Sequence, residues 1–368
     1  MFLTAFVFFI ILSILVLIHE LGHFAIARLI GVHVEEFGFG LPPRIFGKKI
    51  KGTIYSINWL PIGGFVKLAG EDEDYESLKS KPSKNTKKLF WARSKKERTA
   101  ILLAGVIMNF ILAVGITTYL LTQGTYETAG RIHIEKIVAG SPADKAGLKV
   151  GDILIDVSEY SVSNKGLSQI HHLTKPSDLI GFTGSHKGQK IRLTVIQGDT
   201  QISVVVTPRI QVPKGEGPLG VAISDLEIKT YQPVSAIFQA ILINITRARD
   251  MLAGISMIFV RLAHLKPVGN EVAGPIGIAQ VTGEAVKFGF KAILEFMSIL
   301  SLNLAVLNVL PIPALDGGRV LFVFIEKLIG RKIRPAFERS THQAGMIFLF
   351  ILIILISVND ILRLARGG

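Results

Sequence analysis

The sequence predicts a polytopic α-helical membrane protein with four transmembrane helices, a membrane-associated β region and one small soluble α/β domain. Three observations carry this expectation. Four stretches are long and apolar: 2–18, Thr99–Thr122, Phe296–Leu315 and Gln343–Val358. About 20 apolar residues span the hydrocarbon core of a bilayer, so the last of the four needs its flanks to cross. Of the 368 residues, 49% are hydrophobic and mean hydropathy is positive, which places the chain among membrane proteins. Residues 128–209 instead alternate short apolar strands with Gly, Pro and Asp turns, the pattern of a separate soluble domain.

The first helix, residues 1–29, reads as a retained span and not a cleaved leader. No Lys or Arg precedes Arg28, and no small-residue cleavage site follows the apolar run. That run continues into His19-Glu20-Leu21-Gly22-His23. Ionisable groups at membrane depth are costly and point to function. Positions i and i+4 share one helical face, so His19 and His23 can direct two imidazoles at one metal ion. Glu20 is then placed to act on water beside the ion, the H-E-x-x-H arrangement of zinc proteases. A purely structural use of the histidines leaves Glu20 without a role in an apolar phase.

Residues 30–98 lie between the first two spans. Gly31–Lys67 sets aromatic and β-branched residues between Gly and Pro breaks, which predicts short strands and tight turns. Its apolar content predicts that it dips into the membrane face beside protein or a wet cavity. Gly38 and Gly40 are candidate substrate-binding positions there, with turn geometry as the alternative. Residues 71–98 are rich in charge and read as a solvated loop. The second span, 99–122, carries a lone Asn109 at mid-depth, suited to helix–helix hydrogen bonding or to a site role. After the soluble domain, residues 210–290 predict one or two amphipathic helices lying on the outer surface and a Gly-Pro loop. A third span (291–318), a basic segment (319–341) and a fourth span (342–363) complete the chain.

Net charge is +13. Nucleic acid binding is one reading of such basicity, but the lysines and arginines cluster between Arg28 and Arg98 and between Arg319 and Arg339. Positive-inside topology accounts for both clusters. It predicts both termini and the soluble domain outside the cytoplasm, with the His19/His23 end of the first helix near the cytoplasmic face. There is no cysteine, so thiolate nucleophiles and Cys-based zinc sites are excluded. With this topology the third span runs inward, and Asp316 emerges level with His23. A carboxylate there is the natural third ligand, leaving a fourth tetrahedral position open. A helix-end turn is the alternative use of Asp316. The remaining histidines (His33, His133, His171, His172, His186, His264 and His342) are expected to be surface or capping residues.

His19-Glu20-Leu21-Gly22-His23-Phe24, Gly38-Phe39-Gly40, the Pro142-Ala143…Ala146-Gly147-Leu148…Gly151-Asp152 run, Gly274-Pro275-Ile276-Gly277-Ile278 and Asn308…Pro311-x-Pro313…Asp316-Gly317-Gly318 occur in this order. Together they resemble the site-2 protease family over nearly the whole chain, and within it the bacterial regulator-of-sigma-E protease branch. The resemblance implies a Zn2+ ion held by His19, His23 and Asp316, with Glu20 as catalytic acid and base and Asn308 contacting substrate near the metal. It implies that 128–209 is an extracytoplasmic PDZ-like domain; this chain has room for one, where well-known branch members carry two. It also implies single-span membrane protein substrates such as anti-sigma factors or remnant signal peptides, in a bacterial cytoplasmic (inner) membrane. The PDZ-like domain would bind a peptide terminus or exclude bulky substrates. Two rival functions remain. A non-catalytic zinc-containing receptor would use the PDZ-like domain alone and needs a fourth protein ligand. A proton-coupled transporter would use Glu20 and Asp316, but repeated halves are absent from the sequence. The protease reading requires the inner ends of two distant spans to converge.

Overall fold

The computed structural model describes residues 2–71, 88–160, 169–213, 215–264, 274–333 and 335–365; most of the expected charged loop, 72–87, lies outside them. The chain divides into two compact units, residues 1–120 with 232–368, and residues 121–231.

The first unit opens with α1 (Phe2–Ile30), β1 (Val34–Ile50), β2 (Thr53–Leu68) and α2 (Lys95–Thr122). The two helices are long and apolar enough to cross a membrane. They pass very closely: a Cβ on Gly22 would stand 2.4 Å from the Ala104 carbonyl oxygen, so only glycine fits at this crossing. The two strands each fold back on themselves. Residues 54–57 pair with 36–39 on one side and with 46–49 on the other, while 36–39 also pair with 64–67. The strand-rich region is therefore a four-lane sheet in the order 44–50, 53–58, 36–39, 64–67, with the first lane of β1 inserted between the two lanes of β2. Lane 64–67 is an edge. Its Gly64 lies against α1, where an added Cβ would stand 3.8 Å from Glu20 Cγ.

The second unit is a small α/β domain. It contains β3 (Thr125–Ile137), α3 (Pro142–Lys145), β4 (Ile153–Glu159), β5 (His171–His172), α4 (Pro176–Ser185), β6 (Ile191–Gln197), β7 (Thr200–Val206) and β8 (Val221–Lys229). The sheet order is β7-β6-β4-β3-β8, with β5 on β4. Ile132 and Ile134, Leu154 and Val157, and Ile191, Leu193 and Val195 fill its core. The spacing in β3 and β6 is the period of two that one buried sheet face demands. The Pro-Ala…Gly-Asp run builds local structure here. Ser141 accepts the Asp144 N–H to start α3, and Asp152 accepts the Lys149 N–H in the turn before β4.

The chain then returns to the first unit with α5 (Pro233–Ala263), α6 (Pro275–Phe288), α7 (Phe290–Val309), α8 (Asp316–Ile329) and α9 (Pro335–Ala365). With α7 and the greater part of α9, four helices among the described residues are long and apolar enough to span a bilayer. The amphipathic segment is one continuous helix. Its Asn244 donates to Thr117 at 3.0 Å, and its Ala248, Met251 and Ile255 pack with Phe110, Ala113, Leu302 and Val306. α5 thus follows α2 and α7 over residues 244–255. Thr117 and Ser298 lie 3.0 Å apart, Ser298 donates to Ala113 O at 3.1 Å, and Ser301 donates to Asn109 O at 2.8 Å. This polar ladder satisfies side chains that the apolar packing would otherwise strand. The expected Gly-Pro loop is the start of α6, where Asp360 accepts the Gly277 N–H at 2.9 Å.

The third span ends earlier than the sequence suggests. α7 stops at Val309, because Pro311 and Pro313 cannot continue a helix, and Asp316 begins a separate helix after the turn 310–315. The segment 319–341 is accordingly the rest of α8 and the first turns of α9. α8 is tied to α2 by a buried ion pair, Arg98 to Glu326 at 2.7 Å, with side chains 6% and 3% exposed. Glu326 also accepts from the Ile333 N–H at 3.2 Å. Removing one partner strands a buried charge, so Arg98→Met is expected to lower unfolding stability in detergent by about 3–5 kcal/mol. The double variant Arg98→Met/Glu326→Leu should recover most of that loss in the same denaturation measurement.

Candidate metal centre and active site

Three ligand atoms from α1 and α8 meet in one place. His19 Nε2 lies 3.0 Å from Asp316 Oδ2, His23 Nε2 lies 3.3 Å from the same oxygen, and the two Nε2 atoms are 3.2 Å apart. The imidazoles stand nearly perpendicular, at 81°, and both histidines are buried. Backbone space explains the glycines around them. A Cβ on Gly105 of α2 would stand 2.5 Å from His23 Nε2 and 2.6 Å from His19 Cε1. One on Gly317 would stand 2.1 Å from the Leu310 carbonyl oxygen, and one on Gly318 2.4 Å from that of Ile312. Glycine alone lets the 310–315 turn fold back under the start of α8. Asp316 occupies the first turn of α8, where free backbone N–H groups favour a carboxylate.

These residues fit a tetrahedral metal ion. Nitrogen and oxygen ligands around zinc are separated by roughly 3.3–3.4 Å along each tetrahedral edge, and the observed edges are 3.0–3.3 Å. Asp316 Oδ2 is buried yet finds no hydrogen-bond partner among the described residues. His19, His23 and Asp316 are likewise the one His/Asp/Glu group of this kind among the described residues.

The far side of each ring is also held. His23 Nδ1 lies 2.8 Å from the Ile101 carbonyl oxygen, so it donates there and presents Nε2 to the site. His19 Nδ1 faces the Asn109 side-chain amide at 3.3 Å, while Asn109 Oδ1 is buried without a partner. Exchanging the nitrogen and oxygen of that amide places Oδ1 against Nδ1–H and satisfies both groups, leaving the His19 Nε2 lone pair free. The helix–helix hydrogen bond that Asn109 makes is thus to a candidate metal ligand.

Glu20 lies in the wall of a cavity of about 1220 Å³ that also includes His23, Phe65, Asp316, Arg319 and His342. The Val66 N–H hydrogen-bonds to Glu20 from edge lane 64–67, and Arg319 is ion-paired with Glu71. Asn308, half-buried in the last turn of α7, is outside this wall. So are Gly38 and Gly40, which the sequence offered as substrate contacts. Gly38 is in the inner lane 36–39, where a Cβ would stand 2.4 Å from the Phe65 ring. Gly40 has φ +79° with the Leu60 carbonyl oxygen 2.4 Å from where its Cβ would be. Close packing and a left-handed backbone account for both. His342, expected at the surface, is half-buried in α9 and belongs to the cavity wall.

Replacing Asn109 with Leu is expected to weaken metal affinity by about 10- to 100-fold, read by competition with a chromophoric chelator. Unchanged affinity would reduce Asn109 to a helix-packing residue.

Comparison with known proteins agrees with this geometry. The sequence matches the model of Peptidase family M50 over residues 7–352. A protein of Fusobacterium nucleatum named as a candidate zinc metalloprotease is 32% identical over 368 residues, covering 96% of this chain and 97% of its own length. One of the same description from Rickettsia conorii is 33% identical over 366 residues, covering 97% of this chain and 98% of its own. Among solved structures, the PDZ domain of the SdrC-like protein from Listeria monocytogenes covers 27% of this chain and 95% of its own, with 16% identity and a TM-score of 0.22. The chain is a multi-pass membrane protein that belongs to Peptidase family M50, the site-2 protease family.

Proposed function

We propose that this protein is a zinc endopeptidase that hydrolyses peptide bonds within or beside the transmembrane segments of other membrane proteins. The observation that carries the proposal is the convergence of His19, His23 and Asp316 within 3.3 Å, with Glu20 in the adjoining cavity wall. Two imidazoles and one carboxylate leave a coordination position open, the mark of a catalytic zinc site and not a structural one. Zinc bound there supplies Lewis acidity, which polarises a carbonyl and makes water more acidic. Glu20 takes the proton of the attacking water and returns it to the departing amine. His23 and His19 are kept in the required tautomers by Ile101 and Asn109.

A substrate helix hides its amides in its own hydrogen bonds, so it must unwind before it can be cut. The unwound backbone then needs partners in an apolar setting. Edge lane 64–67, beside Glu20, offers them by strand addition, which makes that lane the substrate platform in place of Gly38 and Gly40. Positive-inside charge supports a cytoplasmic-side active site and an extracytoplasmic PDZ-like domain in a bacterial inner membrane. Single-span proteins, including anti-sigma factors and remnant signal peptides, are the substrates that family membership suggests.

The test is zinc analysis together with cleavage of a model transmembrane peptide in detergent. Wild type should carry about one zinc per chain and cut the peptide. Glu20→Gln should keep the zinc and lose roughly 10²- to 10⁴-fold in rate. Asp316→Asn should lose both metal and activity. Undiminished cleavage by Glu20→Gln would refute the assignment.

A further inference from the structure

α9 grips the turn that delivers Asp316 at two points. The Ala314 N–H donates to His342 Nδ1 at 2.9 Å. One turn further along α9, Gly345 lies so near Pro313 that a Cβ there would stand 2.6 Å from both Pro313 Cβ and Pro313 O. The turn needs holding, because Ala314 has φ +80°, a left-handed conformation that costs a non-glycine residue about 1–2 kcal/mol.

That hydrogen bond also decides where the imidazole carries its proton. A ring nitrogen that accepts an N–H bears none itself, so the neutral ring of His342 is protonated at Nε2. Nε2 is buried and has no hydrogen-bond partner among the described residues. Its ring is packed against Phe322, with centroids 5.6 Å apart, and it shares the cavity wall with Glu20, His23 and Asp316. A buried donor without an acceptor is costly and calls for an explanation. The cavity next to the metal ligands gives one, since a substrate that enters it and uncovers Nε2 brings the missing acceptor.

We propose that His342 is a catalytic residue whose Nε2–H donates a hydrogen bond to the carbonyl oxygen of the peptide bond being cut. The bond strengthens as negative charge builds on that oxygen during attack, and the proton stays on the imidazole throughout. Stabilisation of this kind acts in the transition state more than in the bound substrate. The inference rests on the protease reading above and adds to it a donor from α9, a helix that supplies none of the metal ligands.

Two variants separate donating to substrate from holding the turn. In His342→Asn the side-chain oxygen takes the place of Nδ1 as acceptor for Ala314, while nothing replaces Nε2–H. In His342→Phe both functions go. The proposal expects His342→Asn to retain wild-type zinc affinity and a KM within about twofold, with kcat reduced by roughly 10²- to 10³-fold. His342→Phe is expected to lose zinc affinity as well. His342→Gln, which returns a donor near the Nε2 position, should regain at least about tenfold in kcat over His342→Asn when zinc is saturating. Wild-type kcat in a folded His342→Asn, or loss of activity that follows zinc content alone across the three variants, would overturn the proposal and leave His342 as a positioning residue. Glu20→Gln in the same assay isolates the other failure. If it cleaves as fast as wild type, the protease reading falls whatever the His342 variants do.

Discussion

Gly22 of α1 and Gly105 of α2 leave no room for a Cβ, and this contact governs everything at the metal centre. Gly22 meets the Ala104 backbone, and Gly105 lies directly against the two histidine rings. The absence of side chains lets α2 approach near enough for Ile101 O and Asn109 to reach the outer nitrogens of His23 and His19. Within lipid there is little hydrophobic force to press two helices together, so association depends on close van der Waals fit and on hydrogen bonds between helices. Both forms of contact operate at this crossing. A single methyl group at either glycine would push the imidazoles away from the groups that orient them.

The carboxylate is delivered by a different device. Pro311 and Pro313 end α7, and Gly317 and Gly318 let the chain double back beneath the first turn of α8. The resulting turn contains a left-handed alanine. It keeps that shape because α9 clamps it at His342 and Gly345, while Arg98 and Glu326 join α8 to α2. Asp316 is thus positioned relative to the histidines by contacts from α2, α7, α8 and α9 together. A ligand that must be held to a few tenths of an ångström requires such support on every side.

The strand-rich region shows how a short stretch can serve two ends. Folding each strand back into two lanes pairs much of its backbone within the region. Of the two edges, 44–50 and 64–67, the second is the one that faces Glu20. Gly38 and Gly40 permit this compact sheet by admitting the Phe65 ring and the Leu60 carbonyl.

The sequence by itself determined the four spans, the separate α/β domain, the His19-Glu20-x-x-His23 face and, through charge asymmetry and span parity, Asp316 as its distant partner. The first three are written in hydropathy and periodicity, which are local properties of the chain, whereas Asp316 followed from the distribution of charge along it. The break between α7 and α8 was half legible, since the prolines announced an interruption without saying that Asp316 would open a new helix. Asn109 and His342 could be noticed only as isolated polar residues, because one side chain in an apolar run has no period to show what it faces. Tertiary structure alone decided that Asn109 meets His19, that His342 meets Ala314, that the hairpin has four lanes, and that α5 follows the spans. Each of those facts depends on a contact between residues far apart in the chain, and such contacts are settled by which surfaces can pack closely, a matter on which local sequence pattern has no bearing.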